Sequence, residues 1–181
     1  TMANTYSLDV IEDACEAIGS VHYGKKAGTF GRASVFAFYP NKAITSGEGG
    51  MILTNSYEDY LKFCALRNQG RSLNDEWLSH EHFGFNYRLS DIHCALGISQ
   101  MNRIDNILKK RKENANHYNE ILEKIDGIIV PKANYDKDRS WFVYVIRLKE
   151  NLNRAKIMQF MKSNGIATQV YFPSIHLQPI Y

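Results

Sequence analysis

"ASVFAFYPNKAITSGEGGMILT", residues 33–54, sets two short apolar runs around a loop that carries a lysine. The run 33–38 reads as a strand, and Gly50–Thr54 as a second one. Tyr39-Pro40-Asn41 stops the first run, because proline fixes its own φ and cannot donate to a ladder. Gly47-Glu48-Gly49-Gly50 then lets the backbone bend sharply beside Lys42. A lysine at a strand edge is a solvated charge by default. Any other reading of Lys42 has to come from its surroundings.

Upstream, "LDVIED" (8–13) is an apolar strand running into two carboxylates, and the helix-like "ACEAIG" (14–19) follows. Asp13 thus ends one strand, and Lys42 lies just beyond the end of another. In an open α/β sheet, strand ends gather at one edge, and ligands bind there. Asp13, Glu16 and Lys42 are then either a surface charge cluster or a pyridoxal phosphate site. In such a site lysine carries the cofactor as a Schiff base and aspartate keeps the pyridine nitrogen protonated. Spacing alone leaves both open.

Downstream, Ser56 with Asp59 forms a capping-box pattern, and Tyr57, Tyr60, Leu61, Cys64 and Ala65 follow one helical face to about Asn68-Gln69-Gly70. Residues 71–89 are polar, aromatic and irregular, which predicts a long loop. From Ser90-Asp91 a long helix is expected to about Ile125, bent at Gly97. Its buried side is Ile92, Ala95, Leu96, Met101, Ile104, Ile107 and Leu108. "IIVP", "WFVYVIRLK" and "IATQVYF" read as strands, with "NRAKIMQFMKSNG" as a helix between the last two. This order predicts two subdomains, 1–112 and 113–181, with the boundary inside the long helix.

The chain's 44% hydrophobic and 23% charged residues are those of an ordinary soluble protein, and a net charge of +3 gives no reason to expect nucleic acid. The dense Lys109-Lys110-Arg111-Lys112 run has Glu113 and Glu120 nearby, as on a solvated helix face. No stretch is long and apolar enough for a membrane helix, and "TMANTYSLDV" lacks signal-peptide regions. Cys15, Cys64 and Cys94 are far apart among apolar neighbours, so reduced, buried thiols in a cytoplasmic protein are expected.

Three other motifs fail on their chemistry. Gly19 to Lys26 nearly matches a phosphate-binding loop, but Lys26 stands where a hydroxyl would hold magnesium. A solvated hairpin with a glycine turn suffices. His80 and His82 have no third ligand at a recognisable spacing, so no metal site is expected. His176 in "SIH" has no nucleophile arranged with it, so hydrolase chemistry finds no support.

"VIEDACEAIGS", "GTFGRASVFAFYPNKAITSGEGGMILT", "RNQG", "FGFNYRLSDIHCALG" and "TQVYFPSIHLQPIY" closely resemble, in order, the DegT/StrS-type (DegT/DnrJ) nucleotide-sugar aminotransferases. The resemblance runs from about Val10 to the last residue. It implies an α/β fold: part of an aspartate-aminotransferase-type large domain followed by a small α+β domain. The implied cofactor is pyridoxal 5'-phosphate, with Lys42 as the Schiff-base lysine and Asp13 facing the pyridine nitrogen. Glu16 stands beside the cofactor ring and substrate in this resemblance. Asn86 matches an asparagine that reaches the cofactor phosphate of the neighbouring subunit of a homodimer, and Tyr171 and His176 match a segment bordering the sugar pocket.

The implied reaction moves an amino group from an amino acid, usually glutamate, to a keto group on a nucleotide-activated sugar. Dehydratases of the same fold replace the lysine by histidine, which sets Lys42 against that alternative. The other alternative is an inactive fragment with a structural or regulatory role. Two departures from the family pattern matter. Ala37 stands where many relatives carry a phosphate-binding serine. The chain also starts after the family's N-terminal part and stops short of its usual end, so weak cofactor binding by residues 1–181 alone is expected.

Overall fold

The computed structural model describes residues 2–71, 79–132 and 138–181. A short helix α1 (Met2–Tyr6) leads into strand β1 (Ile11–Asp13), and β2 (Val21–His22) and β3 (Lys25–Lys26) form a hairpin. Tyr23 and Gly24 turn that hairpin with φ of 47° and 76°, the left-handed pair a tight two-residue connection requires. The near-match to a phosphate loop is thus a hairpin, as expected. Strands β4 (Ala33–Ala37) and β5 (Gly50–Thr54) follow.

The sheet order is β1-β4-β5. β1 runs parallel to β4, with Asp13 opposite Val35, and β4 runs antiparallel to β5, with Ala37 opposite Gly50. The ends of β1 and β4 and the start of β5 therefore share one edge. Glu12, in the middle of β1, fastens the loop leading into β4. Its carboxylate accepts the N–H groups of Gly28 and Gly31, each at 2.8 Å, and that of Phe30. Burial opposes ionisation there, but those N–H groups together hold the Glu12 carboxyl below its ordinary range.

Helix α2 (Tyr57–Arg67) packs beside β5 and starts as its sequence predicts: the Ser56 side chain accepts the Asp59 N–H at 3.1 Å. The Asp59 carboxylate takes a bidentate hold on the Arg32 guanidinium, 2.7 Å at both nitrogens, which ties the sheet to the helix.

The expected helix from Ser90 to Ile125 is two helices, α3 (Asp91–Met101) and α4 (Ile104–Leu122). The break falls at Asn102-Arg103 and not at Gly97. There Arg103 N–H bonds to Gln100 at 3.0 Å, an i−3 bond that tightens the turn and ends the α ladder. The expected buried side is also divided. Ile104, Ile107 and Leu108 on α4 are half-buried, whereas Ile92, Leu96 and Met101 on α3 are exposed.

Two further expectations change. Residues 14–19 form consecutive turns, Ala17 N–H to Ala14 and Ser20 N–H to Ala17, with no helix. Cys15 and Cys64 are half-buried and Cys94 is exposed, and all three are free thiols.

The chain divides into two compact units, 1–118 with 132–144, and 119–131 with 145–181. The second holds the paired strands β6 (Ile128–Ile129) and β7 (Arg147–Leu148) and helix α5 (Arg154–Ser163). Asn153 caps α5 by accepting the Lys156 N–H at 3.0 Å. Of the expected strand 141–149 only β7 forms, and the expected strand over 166–172 does not form, since neither stretch finds a longer partner among the described residues. No helix among the described residues is long and apolar enough to cross a membrane.

Candidate active site

Lys42 sits at the shared sheet edge, on a loop whose backbone is bonded at almost every turn. Lys42 N–H bonds to Tyr39 at 2.9 Å, closing a turn with Pro40 and Asn41 at its centre. The Phe38 carbonyl accepts both the Ser46 N–H at 3.0 Å and the Thr45 hydroxyl at 2.8 Å, and Phe38 N–H reaches Gly49 at 2.9 Å. Ile44 and Ser46 are buried beneath this loop, and the Ser46 hydroxyl donates to Glu48 at 2.7 Å. Gly47 and Gly49 adopt φ of 84° and 138°, so the sharp bend beside the lysine does need glycine.

This packing leaves the Lys42 side chain only 15% exposed, with Nζ 3.1 Å from Glu16 Oε1. Asp13 terminates β1 at the same edge. The neighbouring Cys15 side chain, whose thiol also lies 3.8 Å from the Val35 carbonyl, then the Cys15 N–H at 3.1 Å, and the Lys42 charge together hold the Asp13 carboxyl below the ordinary carboxylate range. Burial, and then the Asp13 carboxylate, push the Cys15 thiol up to about 11. Cys15 is therefore a protonated donor near neutral pH and not a nucleophile.

The structure thus brings together three of the six site residues expected from sequence: Asp13, Glu16 and Lys42. Asn86 is exposed and forms an isolated bridge with Asn68, whose side-chain oxygen accepts from Arg88 at 2.9 Å. Tyr171 and His176 lie in the second unit, Tyr171 against the Phe172 ring and His176 in a single 3-10 turn (Ile175–Leu177).

Sequence reasoning missed three contributors. Cys15 could have been found, since a residue two after an aspartate is placed to donate back to it. Phe142 and Arg111 carried no local signal. The Phe142 ring lies 4.7 Å from Lys42 Nζ, and Arg111 on α4 donates to the carbonyls of Trp141 at 3.2 Å and Phe142 at 3.1 Å.

The donor set suits a pyridoxal phosphate cofactor in two respects: a shielded primary amine for its aldehyde, and an ionised carboxylate for a protonated ring nitrogen. Ala37, at the end of β4, offers no hydroxyl to its phosphate.

Known proteins resemble this chain along its length. The DegT/DnrJ/EryC1/StrS aminotransferase family matches the chain over residues 1–181. GDP-perosamine synthase of Vibrio cholerae is 34% identical over 181 residues, which cover 99% of this chain and 49% of that protein. A dTDP-4-dehydro-2,6-dideoxy-D-glucose 3-dehydratase of Saccharopolyspora spinosa is 30% identical over 197 residues, covering 94% and 43%. The structure of Helicobacter pylori PseC, an aminotransferase involved in the biosynthesis of pseudoaminic acid, matches with a TM-score of 0.91 and 31% identity. That match covers 99% of this chain and 49% of PseC.

The chain spans about half the length of the curated relatives it matches. It is homologous to nucleotide-sugar aminotransferases and related to sugar dehydratases, and its α/β fold matches part of the aminotransferase structures. Since the family matches residues 1–181 of it, this chain belongs to the DegT/DnrJ/EryC1/StrS aminotransferase family.

Proposed function

We propose that this chain carries the reactive lysine of a pyridoxal-phosphate-dependent aminotransferase acting on a nucleotide-activated keto sugar. The observation that carries this reading is the shielded Lys42 amine, paired with Glu16 at the sheet edge where Asp13 ends its strand. Pyridoxal phosphate, when bound, supplies an electron sink for the carbon that loses its proton.

The chain's own residues account for the rest. Lys42 would hold the cofactor through its ε-amine, and as a free amine would move the proton to and from the reacting carbon. Glu16, in reach of Nζ, orients the amine and accepts its hydrogen bond. Asp13, kept ionised by Cys15 and Lys42, would supply the carboxylate that keeps the cofactor's ring nitrogen protonated. Asn86 serves the cofactor phosphate of a neighbouring subunit in a homodimer, and Tyr171 and His176 border the sugar. Glutamate is the amino donor in this reading, and the residues 1–112 form part of the cofactor-binding domain.

The dehydratase relative supports a second reading, in which the sugar loses a hydroxyl. Lys42 favours amino transfer, since histidine takes its place in dehydratases of this fold. Incubating the protein with pyridoxal phosphate, glutamate and a nucleotide-linked keto sugar separates the readings by product mass. Amino transfer converts the sugar C=O to CH–NH2 and glutamate to 2-oxoglutarate. A product that has lost oxygen without gaining nitrogen would mean dehydration. Cofactor binding with no sugar product and no 2-oxoglutarate would mean a structural fragment.

A further inference from the structure

The wall facing the Lys42 amine comes from a segment about a hundred residues downstream. Residues 138–142 are fastened at several points. Val21 N–H bonds to the Asp138 carbonyl at 3.0 Å, and Ser140 N–H to the Ser20 hydroxyl at 3.1 Å. The Ser140 hydroxyl, itself buried, reaches the Glu16 carbonyl at 3.4 Å. Lys112 on α4 pairs with Asp138 at 3.2 Å. The next fastening is Arg111, one residue earlier on α4, whose Nη1 spans the successive carbonyls of Trp141 and Phe142.

Trp141 lies between these fastenings with φ of 51°, a conformation that costs a bulky side chain energy and persists only where its surroundings impose it. The Arg139 guanidinium stacks over the Trp141 ring at 5.1 Å, which holds that residue from its side-chain end. The twist at Trp141 decides where the next residue points, and the Phe142 ring face meets Lys42 Nζ at 4.7 Å. Glu16 holds the same amine from the other element, at 3.1 Å.

We propose that Arg111 is a positioning residue for Lys42, acting through Phe142. Its guanidinium fixes the strained Trp141-Phe142 backbone, and the Phe142 ring then confines the lysine amine beside Glu16. A lysine stem is otherwise free to sample many rotamers, so a two-sided hold selects one. The proposal rests on the reading of Lys42 as the reactive amine only for its functional meaning. The geometry is tested on the apo chain.

The test is the rate at which acetic anhydride acetylates Lys42, read by peptide mass spectrometry against Lys25, Lys26 and Lys109 in the same molecule. Removing the ring in Phe142→Leu exposes one face of the amine and should speed Lys42 acetylation roughly two- to fivefold, in keeping with one cation–π contact. Phe142→Tyr keeps the ring face and should restore the original rate. Arg111→Met should give the same acceleration as Phe142→Leu, and the double variant no more than either.

Additive effects, or an unchanged rate in Arg111→Met, would overturn the relay. An unchanged rate in Phe142→Leu, or no restoration in Phe142→Tyr, would overturn the role of the ring. If Arg111→Met raises the reference lysines as well, it has loosened the fold, and Arg111→Gln, a good helix former whose side chain is too short to carry its NH2 to both carbonyls, decides instead. There a selective rise at Lys42 supports the proposal, and an unchanged rate contradicts it. Failure of this test leaves the cofactor-attachment reading standing, because that reading is measured separately, by which lysine pyridoxal phosphate labels.

Discussion

Phe38-Tyr39-Pro40 and Tyr171-Phe172-Pro173 are nearly the same local chemistry, an aromatic pair halted by proline, yet they meet opposite fates. Phe38 is 8% exposed, with its N–H and carbonyl both bonded into the loop that carries Lys42. Phe172 is 75% exposed, and no strand forms around it among the described residues. The difference is the partner. β5 returns beside β4 after a glycine-rich bend, so the first aromatic pair closes a packed loop. The second pair belongs to a unit whose described strands are two residues long. Aromatic content proposes structure, and a neighbouring strand makes it.

If the first region is the chemical centre, the largest effect lies at the strand end it shares. Asp13→Asn should lower amino transfer by orders of magnitude while leaving circular dichroism unchanged, because a neutral ring nitrogen makes a poor electron sink. Turnover near the original value would remove Asp13 from the mechanism.

The packing contrast predicts a difference in stability. Ile44→Ala, under the Lys42 loop at 3% exposure, should cost about 2–4 kcal/mol in denaturant unfolding. Phe172→Ala should cost less than about 0.5 kcal/mol in the same chain. Equal costs would mean that the two aromatic segments are packed alike.

Acid should weaken the sheet region. Glu12 has its folded pKa lowered from 4.5, so the folded state favours its ionised form. That contribution is fully present above the unfolded value and is lost as pH falls through the folded one. Stability of the original chain should therefore fall more steeply than that of Glu12→Gln as pH drops below 4.5. Parallel curves would mean that the three N–H groups do not favour the anion. The smallest effect belongs to the cap of α2: Ser56→Ala should cost about 1 kcal/mol, measured as a shift in urea midpoint without a change in slope.

Much of the site's frame was legible because it is local. The two runs flanking Lys42, the Ser56 and Ser90 caps and the bend at Gly47 and Gly49 all rest on neighbours within a few residues. The break at Asn102-Arg103 was not legible, since it turns on one tightened hydrogen bond in a sequence whose helical pattern continues past it. Phe142 and Arg111 were hidden for a different reason. Their contacts with the Lys42 site join residues far apart in sequence, and no spacing rule connects them. Segment 141–149 looked like one long strand by its apolar content, but Trp141 turns left-handed and only Arg147–Leu148 pairs.

The central claim is that Lys42, shielded in its loop, is the amine that takes the cofactor. Incubating the chain with pyridoxal phosphate, reducing with borohydride and mapping the modified peptides tests it directly. The account predicts label concentrated on Lys42, with Lys25 and Lys26 of the solvated hairpin modified far less. Label spread evenly over the surface lysines would contradict it.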